Sequence, residues 1–122
     1  MGEYMQVRTT LGEGEVYAGL ILGKDDLDYH LVLLPDEVAD VSWPSAADWA
    51  MSRGGALPTR RELALLFANV REGFERNWYW SSEPHETRTA LVWGQNFASG
   101  IQTIYGRPYR GHARAVRRIP IP

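Results

Sequence analysis

Residues 78–82 read Trp-Tyr-Trp-Ser-Ser, and no other stretch of the chain puts so much buriable area into so few positions. Aromatic side chains favour extended backbone, where they pack against neighbours on a pleated surface. The stretch therefore predicts a central strand with Trp80 in the core, and the two serines mark its polar end. It belongs with a second stretch, Arg114-Ala115-Val116-Arg117-Arg118, which predicts a final strand from His112 to Ile119. What precedes Trp78 reads as scaffold, and what lies between the two strands reads as the surface that the scaffold presents.

The chain of 122 residues suits one domain large enough to bury an apolar core without staples. It has no cysteine, which excludes disulfides, thiolate metal sites and cysteine nucleophiles. No apolar run approaches the ~18 residues that span a bilayer, so no membrane insertion is expected. The start of the chain, with Glu3 and no basic cluster, does not read as a signal peptide. The net charge of -2 hides an asymmetry: residues 1–50 carry 2 basic and 10 acidic side chains, and residues 51–122 carry 11 basic and 5 acidic. The halves, at -8 and +6, should attract, which puts the first and last segments side by side. An acidic overall balance argues against a nucleic-acid partner.

Taken in order, residues 1–15, with Gly2, Gly12 and Gly14, predict a loose arm or leading strand, and residues 16–122 a single domain. Val16–Gly23 and Tyr29–Leu34 predict a hairpin around the acidic turn Asp25-Asp26-Leu27-Asp28. That turn lacks the glycine and distal glutamate of a calcium loop and reads as solvated. Ser42 caps a first helix with Pro44 in its opening turn and Trp43, Ala46, Ala47 and Ala50 on one face, and Arg53-Gly54-Gly55 ends it. Thr59-Arg60-Arg61-Glu62 is a capping box for a second helix whose apolar stripe is Leu63, Leu66, Phe67, Val70 and Phe74. Residues 81–87 predict a polar loop, 90–97 a strand, 98–100 a turn, 101–105 the returning strand and 106–111 a second loop. Two strands, two helices and four strands make an α+β pattern.

The elements Ser42-Trp43 with Ala46, Leu57-Pro58-Thr59-Arg60 with Glu62-Leu63, Trp80-Ser81-Ser82, Asn96-Phe97 with Gly100, and Arg114-Ala115-Val116-Arg117 stand in the order and approximate spacing of one family. Over residues 16–119 the chain resembles the Lcl C-terminal domain family, found in phage tail-fibre-like and bacterial surface proteins. The resemblance implies a C-type-lectin-like fold in which two helices flank small antiparallel sheets and the N- and C-terminal strands pair. It also implies a phage-derived recognition module, virion-associated or cytoplasmic before assembly, that works as a homo-oligomer and binds a protein or glycan receptor through residues 83–112. The sequence lacks the Glu-Pro-Asn and Gln-Pro-Asp tripeptides of calcium-dependent sugar binding and the cysteine pair of the oxidases that share the fold.

No catalytic frame opposes this reading. Ser81, Ser82, His85 and Glu86 offer nucleophile, base and orienter types, but no G-x-S-x-G elbow frames either serine. Glu83 and Glu86 read as solvated rather than as a glycosidase pair. His30, His85 and His112 stand too far apart for a metal motif, and nothing in the sequence asks for a cofactor. The expected ligand-binding residues are Trp93, Gln95, Tyr105, Arg107, Tyr109 and Arg110, because aromatic and guanidinium groups bury large area with few torsions. Trp93 reads equally well as core. Alternation along the last strand puts Arg114 and Arg118 on one face and Arg117 on the other; Arg114 and Arg117 are expected to pair with carboxylates of the N-terminal half, leaving Arg107 and Arg110 free to bind. The rival reading is a structural assembly domain whose arm docks on a neighbouring subunit.

Overall fold

The structure, a computed structural model, describes residues 7–122. Its elements run β1 (Val16–Ile21), β2 (Tyr29–Leu33), β3 (Val38–Val41), α1 (Trp43–Ser52), α2 (Arg60–Val70), a 3-10 turn (Arg71–Gly73), β4 (Trp78–Pro84), β5 (Leu91–Asn96), β6 (Gln102–Gly106), β7 (Gly111–Ala113) and β8 (Val116–Pro120). The α+β class is as expected. A three-stranded sheet has the order β1-β2-β8, and a five-stranded sheet has the order β3-β7-β4-β5-β6. All pairings are antiparallel except β4 with β7, where Tyr79 faces His112.

The hairpin of β1 and β2 forms as expected, and β8 joins it along β2. First and last segments thus share a sheet, with Arg117 bridging to Glu15 at 2.7 Å and Arg53 to Asp36. Of the expected arm, residues 1–6 lie outside the described residues; residues 7–10 are helical rather than extended, and Val7 is buried.

Four expectations need correction. The strand expected over His112–Ile119 is two strands, β7 and β8, broken at Arg114-Ala115 and placed in different sheets. Alternation lapses at Ala115-Val116, where two apolar residues adjoin, but nothing local says that the chain changes sheet there. β3 adds a strand that the sequence does not announce, because it is only four residues long and Asp40 interrupts it with a positive φ of 57°. β4 continues through Ser81 and Ser82 to Pro84. Phe74, placed on the helical stripe, lies beyond the end of α2.

The capping box of α2 is complete. Thr59 Oγ1 accepts from Glu62 N at 3.2 Å and Glu62 Oε1 from Thr59 N at 2.8 Å. Ser42 occupies the cap of α1, but its hydroxyl donates to Ser45 Oγ at 3.2 Å and caps no backbone group.

β4 runs through the middle of the larger sheet, so its aromatic run feeds two cores. Trp78 and Trp80 point to one face and pack with Val92, Leu57 and the α1 residues Ala46 and Ala50. Tyr79 points to the other and packs with Phe97, the α2 residues Leu63, Leu66 and Val70, and Leu31, Leu33 and Val116 of the smaller sheet. Tyr79 and Trp80 are both 0% exposed, and burial of such a side chain is worth about 4–6 kcal/mol by area. Trp78 rests on backbone: a Cβ at Gly94 would stand 2.1 Å from its Cζ2 and one at Gly111 2.9 Å from its Cε3.

Candidate functional site

The face of the larger sheet that carries Trp78 leaves the core at β6 and becomes a cleft of about 340 Å³. Opposite Val92, Tyr105 projects onto this face, as does Thr103 two residues earlier. Trp78 Nε1 donates to Thr103 Oγ1 at 3.1 Å. The loop after β6 folds back, Tyr109 N donating to Gly106 O at 2.9 Å, and lays the Tyr109 ring on Tyr105 with centroids 4.1 Å apart and planes 12° from parallel. Both rings meet Trp78 edge-on, at 4.9 and 5.6 Å. Such edge contacts set a positive ring rim against a negative ring face and fix the platform's orientation. Tyr105 is 40% exposed and Tyr109 43%. Asn77 and Asn96 add amides to the lining, which Arg76, Ser99 and Ile101 complete; Asn77 Nδ2 lies 3.3 Å from His112 Nε2.

The six residues expected to bind do not share one surface. Tyr105 and Tyr109 come together as described. Trp93 and Gln95 alternate to the opposite face of the sheet, beneath α2. There the Arg60 guanidinium lies 3.7 Å from the Trp93 ring centroid, His85 stacks at 5.9 Å, and Trp93 Nε1 donates to Glu86 Oε1 at 3.3 Å. Trp93 is thus half-buried, neither core nor free platform. The Glu86 carboxyl is held below the usual carboxylate range, first by its own backbone N–H and then by His85, Trp93 and Arg60. Gln95 is 2% exposed.

Arg107 and Arg110 are not free, which corrects the expectation. Arg107 donates twice to Thr89 O, at 2.9 and 2.7 Å, and lies 4.7 Å from the Trp43 ring. Arg110 Nη1 donates to Asp40 O at 3.0 Å. Both hold the 106–111 loop against its surroundings, and Trp43 N donating to Arg107 O at 3.0 Å ties the same loop to α1. They build the tyrosine platform from behind. Arg114 is corrected too: it donates to the carbonyls of Gly73 and Leu34 and pairs with no carboxylate.

The residue types that suggested hydrolysis are occupied otherwise. Ser81 is 0% exposed and its Oγ accepts from Glu83 N at 3.0 Å, while His85 Nδ1 accepts from Thr87 N and Arg88 N at 3.3 and 3.1 Å. Among the described residues no group of three His, Asp or Glu is placed to hold a metal ion, and no helix is long and apolar enough to cross a membrane.

Sequence reasoning missed Thr103 and the partial role of Trp78. Thr103 was within reach, since it precedes Tyr105 by two positions and period-two alternation puts both on one face. In the sequence Trp78 is only part of the expected central strand; that its edge also lines the cleft goes with the close approach of Gly94 and Gly111 to its ring. Comparison with protein-family models finds no match, and comparison with curated proteins finds none.

Proposed function

We propose that this chain is a non-enzymatic recognition module that binds a protein or glycan receptor through the cleft formed by Tyr105, Tyr109, Trp78, Thr103, Asn77 and Asn96. The observation that carries the reading is the stacked tyrosine pair, more than a third exposed on both rings and held rigid from behind. A rigid aromatic face loses little entropy on binding and stacks on the apolar face of a sugar ring or on a protein side chain. The flanking amides and the threonine hydroxyl supply donors and acceptors of the kind that orient sugar hydroxyls, which favours a glycan. The resemblance to the Lcl C-terminal domain family supports the same reading. With it we propose a C-type-lectin-like fold, a phage or surface-particle origin and action as a homo-oligomer, in which avidity multiplies weak contacts.

The test compares Tyr109→Ala and Tyr109→Phe on a glycan array and on intact cells. Tyr109→Ala is expected to abolish binding while the melting temperature falls by only a few degrees, and Tyr109→Phe is expected to retain most of it. Binding that survives Tyr109→Ala places the receptor site elsewhere. Binding to cells but not to any glycan assigns the cleft to a protein receptor.

The strand β1 favours a second role in assembly. Among the described residues it ends the smaller sheet, and it exposes Val16, Leu20 and, just beyond it, Leu22, at 42, 46 and 58%. Apolar side chains exposed along a sheet's outer strand are a surface suited to a neighbouring subunit.

A further inference from the structure

On the face of the larger sheet opposite the tyrosine cleft, a trough of about 910 Å³ runs between α2 and the β5–β6 hairpin. Its polarity is dictated from Arg60. The Arg60 Nε donates to Gln102 Oε1 at 2.9 Å, and the Arg60 carbonyl accepts from Gln102 Nε2 at 2.8 Å. Since a guanidinium only donates and a carbonyl only accepts, these two bonds fix which end of the Gln102 amide is oxygen. Gln102 Nε2 then donates onward to Gln95 Oε1 at 2.9 Å. Gln95 is thereby obliged to turn its NH₂ group away from the relay. This side chain is 2% exposed, lines the trough, and finds no acceptor for its NH₂ among the described residues. A donor in that position is satisfied only from the trough itself.

A row of backbone groups lies beside it. Asn96 N donates to Ile101 O at 2.9 Å and Arg107 N to Ala90 O at 3.2 Å, so the alternation of an antiparallel pair puts Thr103 and Tyr105 in the hydrogen-bonded set. Gln102 and Ile104 therefore turn their N–H and C=O outward, and among the described residues β6 is the last strand of its sheet. Arg60 and Arg61 in the first turn of α2 bring positive charge to the trough, where the helix terminus adds positive potential; Arg60 Nη1 lies 3.7 Å from Glu86 Oε1, and Arg61 Nη2 donates to Leu22 O at 3.0 Å. Glu83 also lines it as a negative charge, and its Oε2 accepts from Arg60 N at 2.7 Å.

We propose that this trough is a second binding site, distinct from the tyrosine cleft, for an extended peptide segment with an acidic side chain. The segment adds to β6 as a sixth strand, exchanging N–H···O=C bonds with Gln102 and Ile104. Its acidic side chain, projecting to the trough face, accepts from the Gln95 NH₂ and lies within the field of Arg60 and Arg61. Phe67 and Ala64 give the apolar wall for the aliphatic part of that side chain.

The experiment titrates the isotopically labelled chain with the blocked pentapeptide acetyl-Val-Glu-Val-Glu-Val-amide and with its lysine counterpart, reading amide resonances. The glutamate peptide is expected to shift the Gln95 side-chain NH₂ and to slow hydrogen exchange at the Gln102 and Ile104 amides. The lysine peptide is expected to bind about tenfold more weakly, or worse, as does Gln95→Glu, which keeps the oxygen facing Gln102 and replaces the donors by a charged acceptor. Ile104→Pro removes only an outward N–H and is expected to abolish the exchange protection. Should Ile104→Pro disturb the sheet, slowed exchange at Gln102 and Ile104 in the unaltered chain still decides the point. Tyr109→Ala is expected to leave peptide binding unchanged. Equal binding of both peptides, an absence of shifts at Gln95, or shifts confined to Tyr105 and Tyr109 would each overturn the proposal. The last outcome would leave the tyrosine cleft standing.

Discussion

Glu62 is 0% exposed, yet it is ionised. Burial pushes its pKa up, but Arg118 donates through Nε and Nη2 at 2.7 and 2.8 Å, Tyr29 Oη donates at 2.6 Å and Thr59 N at 2.8 Å, and together they hold it below the ordinary carboxylate value. Tyr29 is correspondingly pushed up to about 12, by burial first and then by the neighbouring carboxylate. A carboxyl whose folded pKa is depressed contributes stability that is present above its unfolded value, about 4.3, and is lost as pH falls through the folded value. Denaturant midpoints are therefore expected to decline as the solution is acidified below that value, with Glu15, also depressed, through its bond with Arg117, adding to the slope. Glu62→Gln should flatten this decline. It should also cost about 3–5 kcal/mol at neutral pH by leaving Arg118 without its charge partner; an unchanged urea midpoint would contradict the assignment. The capping box was legible in the order Thr-x-x-Glu, which is a local pattern. The role of Arg118 was not, because its partner lies 56 positions away and only the packing of α2 on β8 brings them together.

The chain passes between the two sheets twice, from β2 to β3 and from β7 to β8. Between β7 and β8 the chain leaves the larger sheet and enters the smaller, and Arg114 stands at the crossing with its guanidinium inside the protein. It donates to Gly73 O and to Leu34 O, the latter at 2.8 Å, and lies 5.2 Å from the Phe74 ring centroid. Its Nε finds no acceptor, and burial lowers its pKa against the opposing influence of Glu37, Tyr79 and Asp36. The side chain ties the turn after α2 and the end of β2 to the crossing. Arg114→Leu should strand two carbonyls and cost about 2–5 kcal/mol. Hydrogen exchange is expected to rise first in β7 and β8 and only later in β5; uniform protection loss would show that Arg114 serves no particular junction. Arg114→Lys is not expected to restore stability, since a single ammonium does not reproduce the planar fork that reaches both carbonyls. An arginine in a final strand was visible in the sequence, and a carboxylate partner was the natural expectation for it. The expectation failed because the strand divides there, and a crossing between sheets leaves backbone carbonyls that need donors.

At the scale of the whole molecule, the central β4 strand divides the core in two, and the edges of its sheets carry what is left to interact. The edge at β1 exposes apolar side chains, so light scattering at micromolar concentration is expected to show species larger than the 13.8 kDa chain. Leu20→Lys together with Leu22→Lys should reduce them to monomer. A monomer in the unaltered chain would remove the assembly role while leaving the tyrosine cleft untouched.

The sequence by itself determined the α+β class, the leading hairpin, both helices with the cap of the second, and the attraction of its acidic start for its basic end. Each of these rests on local periodicity, on turn chemistry or on summed charge, which need no knowledge of the fold. Tertiary structure alone decided that the last strand serves two sheets, that β3 exists, and that the expected binding residues fall on opposite faces. Strand membership depends on which distant backbone offers a partner, and the exposure of a face depends on what covers it. Tyr105 and Trp93 are alike in composition and close in sequence, and only the helix lying over one of them tells them apart.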